Sequence, residues 1–105
     1  MTPTLAYRIW IAGDYADAVR AVREWCSEHG DCYAVLPCDY VFSGGMESGV
    51  CVSRINYGRF PEEPADLQAR VEGLADHLAN RLFQKSYSIE APEQTTYIKR
   101  EGVWS

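Results

Sequence analysis

The stretch Leu67–Leu82, LQARVEGLADHLANRL, sets Leu67, Val71, Leu74, Leu78 and Leu82 at steps of four, three, four and four. That is the period of one face of an α-helix, with Arg70, Glu72, Asp76 and Arg81 left for water. A helix with one apolar stripe needs a second layer to cover it, so its flanks decide the fold class. On its N-terminal side, Pro61–Pro64 is a short acidic connection whose second proline suits the first helical position. On its C-terminal side, Ser86–Glu90 reads as a core strand, and Thr95–Arg100 as a possible hairpin partner across Pro92.

The same unit occurs earlier in the chain. Tyr7, Ile9 and Ile11 alternate with Arg8 and Trp10 in the period-two manner of a half-buried strand, which Gly13 and Asp14 stop. In the helix that follows, Tyr15, Ala18, Val19, Val22, Cys26 and His29 share one side, Asp14 or Asp17 can cap its start, and Gly30 ends it. Cys32–Phe42 is rich in aromatic and β-branched residues, and Pro37 within it marks an edge or bent strand. Ser43–Gly49, with three glycines, reads as a loop, and Gly49–Tyr57 as the returning strand. The order strand, helix, strand, strand, helix, strand predicts an α+β, ferredoxin-like βαββαβ two-layer sandwich. Its antiparallel sheet would carry both helices on one face, with a possible extra C-terminal strand.

The 105 residues suffice for one domain, residues 1–105, with 1–6 expected to fray. Hydrophobic residues make up 47% and charged residues 24%, an ordinary globular balance. Ten basic against fifteen acidic residues give a net charge of −5, which repels nucleic acid and anionic lipid and disfavours both as partners. No apolar stretch is long enough to span a membrane and no signal segment is evident, so a cytoplasmic protein is expected. Without a secretory signal, Cys26, Cys32, Cys38 and Cys51 are expected as reduced thiols.

No reaction can be read from motif spacing. Cys26, His29, Cys32 and Cys38 have zinc-ligand chemistry but no standard finger spacing, and core packing explains them better; no metal or cofactor is expected. The only histidines, His29 and His77, pair with no cysteine in a recognisable nucleophile–base pattern. The Ser43–Gly49 loop lacks the lysine and the strand-to-helix setting of a phosphate loop, though Met46 and Glu47 at its tip could make contacts. Thirteen of the 105 residues are aromatic, more than two layers can bury, so an exposed aromatic sheet face is expected, with Trp10, Tyr33 and Tyr57 as its stacking groups.

The runs Tyr7–Asp14, Ile55–Pro61 and Ser86–Pro92 resemble stretches of small uncharacterised bacteriophage-encoded accessory proteins. The resemblance implies a compact acidic protein of the kind phages use to bind and block host factors, including immune complexes such as CRISPR effectors. It leads to the expectation of a non-enzymatic inhibitor or modulator of a host protein complex. The binding candidates are Trp10, Tyr33, Tyr57, Met46, Glu47, Glu62, Glu63 and Asp66, with Asp17 as a further carboxylate for phosphate mimicry. An open sheet face can also serve a homodimer, or bind RNA or a small ligand, and the latter is the second reading.

Overall fold

The structure, a computed structural model, describes residues 6–55, 63–92 and 94–100. Along these the elements are β1 (Ala6–Ala12), α1 (Tyr15–His29), β2 (Ala34–Phe42), β3 (Gly45–Ile55), α2 (Pro64–Leu82), β4 (Ser86–Glu90) and β5 (Thr95–Lys99). The five strands form one sheet in the order β2-β3-β1-β4-β5, and every neighbouring pair is antiparallel. This is the expected ferredoxin-like α+β sandwich, and the possible extra strand exists as β5 on the edge beside β4. Pro37 lies opposite Val50 on β2, the other edge strand, where its missing N–H interrupts only one ladder. The fraying expected of residues 1–6 falls outside the described residues except at Ala6, which opens β1.

Alternation decides which side of the sheet the helices cover. Tyr7, Ile9 and Ile11 of β1, Val50 and Val52 of β3, and Tyr87 and Ile89 of β4 are all buried on the helix side. Against them α2 contributes Leu67, Val71, Leu74, Leu78 and Leu82, the full stripe that its spacing predicts. The buried face of α1 differs from the predicted one: Ala18, Ala21 and Val22 face the core, whereas Tyr15 is 45% exposed and His29 is exposed. Tyr15 and His29 are the first and last residues of α1, so they sit at its ends, beyond the buried middle turns. Trp25 still packs inward, its ring against Gly73 of α2, where an added Cβ would come within 2.7 Å of Trp25 Cη2.

Both helix starts and one helix end follow local chemistry. Asp14, not Asp17, caps α1, its carboxylate accepting from the Asp17 N–H at 3.1 Å, and Gly30 closes the helix in the left-handed region at φ 68°. Pro64 opens α2 after an extended Glu63. α2 ends on Phe83, a non-glycine residue held at φ 56°.

The hairpin joining β2 and β3 is tighter than the predicted seven-residue loop. Val41 pairs with Met46 and Phe42 with Gly45, so only Ser43 and Gly44 turn the chain, with Gly44 at φ 90°. The ladder therefore runs past the helices, leaving Val41, Phe42 and Met46 more than half exposed. Among the described residues no helix is long and apolar enough to cross a membrane.

Candidate functional site

β1 is the central strand of the five, and its outward residues Arg8 and Trp10 stand in the middle of the uncovered face. The register places one row across that face, Leu36–Cys51–Trp10–Ser88–Tyr97, and beside it a second, Ala34–Ser53–Arg8–Glu90–Thr95. In the second row Arg8 lies directly opposite Glu90, and Arg8 Nη1 donates to Glu90 Oε2 at 3.0 Å. The other oxygen, Oε1, accepts from Trp10 Nε1, also at 3.0 Å, from the diagonal position of the neighbouring row. Two donors of one strand thus hold a single carboxylate, while side-chain exposures of 43% and 38% keep the Arg8–Glu90 pair open to solvent.

Around this centre the face is mostly apolar. Leu36 and Tyr97 are 58% and 65% exposed, and Trp10 is half-buried between them. Cys51 lies in the same row; burial chiefly pushes its thiol above the ordinary range, with Arg8 acting in the opposite sense and Cys38 and Glu90 adding to the rise. A thiol held protonated is no candidate nucleophile. All four cysteines are free. Cys26 packs from α1 against the core, whereas Cys38 stands on the uncovered face, so the cysteines noted for their zinc chemistry are split between the two sides of the sheet. Among the described residues no group of three or more metal-ligating side chains converges.

A second polar cluster lies on the helix side, at the far end of β3. The Asp31 side chain, 1% exposed, takes Arg54 Nη1 at 2.7 Å and Arg70 Nη1 at 3.1 Å on one oxygen. Its other oxygen accepts from the Tyr33 hydroxyl at 3.1 Å and from Trp25 Nε1 at 3.3 Å. One carboxylate thereby ties the α1–β2 connection to β3 and α2. Tyr33 is consequently not a stacking group on the open face: its phenol is committed to Asp31, and the Arg54 guanidinium lies 5.5 Å from its ring centre.

A shallow cleft of about 370 Å³ lies where the hairpin overhangs the start of α1, between Asp14, Tyr15, Cys38 and Asp39. Asp14 is occupied in capping the helix. Tyr40 seals the adjoining strand, its hydroxyl donating to the Val50 carbonyl at 2.8 Å.

The other predicted binding residues do not form one surface. Met46 and Glu47 are exposed on the overhanging hairpin, while Glu63 and Asp66 are exposed at the start of α2, toward the opposite end of β3. Asp17 is paired with Arg20 at 3.1 Å. Tyr57 and Glu62 lie outside the described residues. The continuous acidic surface that phosphate mimicry needs is thus divided between two ends of the molecule. Of the predicted groups that are described, only Trp10 stands at the centre of the open face; Arg8 beside it and Glu90 opposite were not among the binding candidates. Their signal was the outward parity of β1 and β4, which becomes a contact only once the two strands are known to pair.

Burial has a solution consequence. Tyr33, Tyr40, Tyr87, Cys26 and Cys51 are all pushed above their ordinary pKa, with burial the largest cause in each. The folded chain holds these protons more tightly than the unfolded chain, so their stabilisation is intact below the unfolded values and is lost as pH rises through them. The melting temperature is expected to fall progressively above about pH 9. A melting temperature unchanged from about pH 8 to about pH 10.5 would contradict this.

No family model and no curated protein matches the chain. Solved structures do match it. A phage SAM lyase in the apo state superposes with a TM-score of 0.79 at 17% identity, over 92% of this chain and 90% of that one. A phage SAM lyase in complex with S-methyl-5'-thioadenosine superposes with a TM-score of 0.68 at 18% identity, over 94% and 92%. The phage resemblance of the sequence is met to the extent that both are phage proteins. The expectation of a non-enzymatic, anti-defence inhibitor is overturned, because these two structures of the same architecture are enzymes. Over nine tenths of its length, this chain has the fold of the phage SAM lyases.

Proposed function

We propose that this protein is an enzyme that binds S-adenosylmethionine and cleaves it, releasing S-methyl-5'-thioadenosine. The observation that carries the reading is the full-length likeness to phage SAM lyases, one of them holding that thioadenosine. Release of S-methyl-5'-thioadenosine fixes the bond that breaks: the one between the sulfonium sulfur and Cγ of the methionine-derived chain. The bonding pair leaves with sulfur, which becomes a neutral thioether. A lyase uses no water, so the electrons that Cγ loses are replaced within the substrate, either by its own carboxylate oxygen closing on Cγ or by the C–H pair freed when a proton leaves Cβ. Closure by the carboxylate asks the protein only to bind, orient and shield, contributions that proximity alone can make large, whereas elimination also needs a base to take the Cβ proton.

The electrostatics agree with such a substrate. S-adenosylmethionine carries a sulfonium, an ammonium and a carboxylate, a net single positive charge, and a chain of net charge −5 attracts it at long range. The acidity first read as phosphate mimicry suits a small cation equally well.

The test is incubation of the full purified chain with S-adenosylmethionine, followed by chromatography and mass spectrometry. S-Methyl-5'-thioadenosine should form in step with substrate loss, and in H₂¹⁸O the four-carbon product should leave the enzyme without the heavy isotope. Thioadenosine formation no faster than in buffer would overturn the reading, and immediate isotope incorporation would replace it with a hydrolase.

A further inference from the structure

We propose that the Arg8–Glu90 pair with Trp10, at the centre of the open sheet face, is the subsite for the charged amino-acid end of the substrate. In this subsite Glu90 receives the cationic groups, Arg8 receives the carboxylate, and Trp10 is the positioning residue that aims Glu90. The inference rests on the S-adenosylmethionine reading above and deepens it.

The geometry is more specific than that of a cross-strand ion pair. A carboxylate accepts about four hydrogen bonds, and Glu90 has one donor on each oxygen, Arg8 Nη1 and Trp10 Nε1, both at 3.0 Å. The remaining acceptor directions are available on a side chain 38% exposed, and the guanidinium, with five N–H donors, has capacity left on a side chain 43% exposed. An amino-acid zwitterion presents the complement of this pair, with its ammonium matched to the carboxylate and its carboxylate to the guanidinium fork. The indole of Trp10 adds an electron-rich ring face, the other group that attracts an onium centre. Leu36 and Tyr97, in the same row as Trp10, offer the apolar surface that an adenosyl group needs beside it.

Neither the Asp31 cluster nor the hairpin cleft matches this set, and in the cavity between α1 and α2 lined by Asp17, Glu24, Arg20 and Arg81 the carboxylates are already paired with those arginines. The Asp31 side chain is 1% exposed and has donors on both oxygens, and the hairpin cleft presents carboxylates without a basic group. Only the open face among the described residues puts one exposed acid, one exposed base and an aromatic ring on three adjoining positions of a rigid sheet.

The decisive comparison is between S-adenosylmethionine and S-methyl-5'-thioadenosine, which lacks both the amino-acid end and the charge. Binding of each to the full chain is measured by calorimetry for wild type, Glu90→Gln and Trp10→Phe. Glu90→Gln keeps the side-chain size and should weaken S-adenosylmethionine about tenfold or more while leaving the thioadenosine unchanged. Trp10→Phe removes the indole N–H and keeps a ring; it should weaken S-adenosylmethionine by roughly threefold to tenfold, again with the thioadenosine unchanged. Should Glu90→Gln not fold, Glu90→Asp retracts the charge by one methylene and should show the same selective loss at smaller amplitude. Loss of both ligands together, or of neither, in a chain that binds both as wild type overturns the subsite and leaves the proposed function standing. A wild-type chain that binds neither ligand overturns the proposed function and the subsite with it.

Discussion

Replacing Asp31 by alanine is expected to lower the unfolding free energy by about 3–5 kcal/mol, the range for removing one partner of a buried ion pair. The size follows from what the substitution leaves behind. Arg54, whose side chain is 8% exposed, loses an oxygen at 2.7 Å, and Tyr33 and Trp25 lose the acceptor of their part-buried donors. Asp31→Asn retains the volume and one acceptor oxygen but loses the charge, so its cost should fall between wild type and Asp31→Ala. Urea unfolding with an unchanged slope is the measurement. A loss below about 1 kcal/mol for Asp31→Ala would mean that water screens the cluster as it screens a surface pair.

The second large effect is expected at Gly49. A Cβ there would lie 2.7 Å from the Ile11 carbonyl oxygen on β1 and would also run into the Tyr40 ring, which covers the glycine from β2. A ring can tilt away, but the carbonyl belongs to the central strand, so relief requires the sheet itself to move. Gly49→Ala should therefore cost about 3 kcal/mol, the upper end of overpacking penalties. The double variant with Tyr40→Ala discriminates between the two contacts. If the backbone approach dominates, removing the ring recovers little; full recovery would show that only the ring stood in the way.

The order of elements was legible because each signal is local. The α2 stripe from Leu67 to Leu82 is a property of spacing, the caps at Asp14, Gly30 and Pro64 are properties of single residues, and Pro37 announced an edge or bent strand through its missing donor. Where local reading failed, tertiary packing had overruled it. Tyr15 and His29 share a helical side with Ala18 and Val22, yet they stand at the two ends of α1, where the core no longer covers them. The glycines of Ser43–Gly49 suggested a wide loop; in the fold Gly45 and Gly49 are strand residues, and Gly49 is a glycine because Tyr40 and Ile11 crowd it.

The candidate site was less legible for the same reason. Trp10 could be placed on the open face from the parity of β1 alone, but Tyr33 could not be excluded from it without Asp31. Glu90 lies 82 positions from Arg8, and no pattern along the chain announces a contact at that separation. The functional expectation went astray where net charge was made to name a partner. Acidity narrows the sign of what binds, and a small onium cation satisfies it as well as a basic groove on a protein does.

By itself the sequence determined the periodicities, the helix ends and the sign of the surface charge, since these depend on neighbours within a turn or two of chain. The tertiary structure alone decided which strands adjoin, and so which side chains face one another across the open sheet. Strand register converts a difference of 82 positions into the 3.0 Å contact between Arg8 and Glu90, and no local rule encodes it.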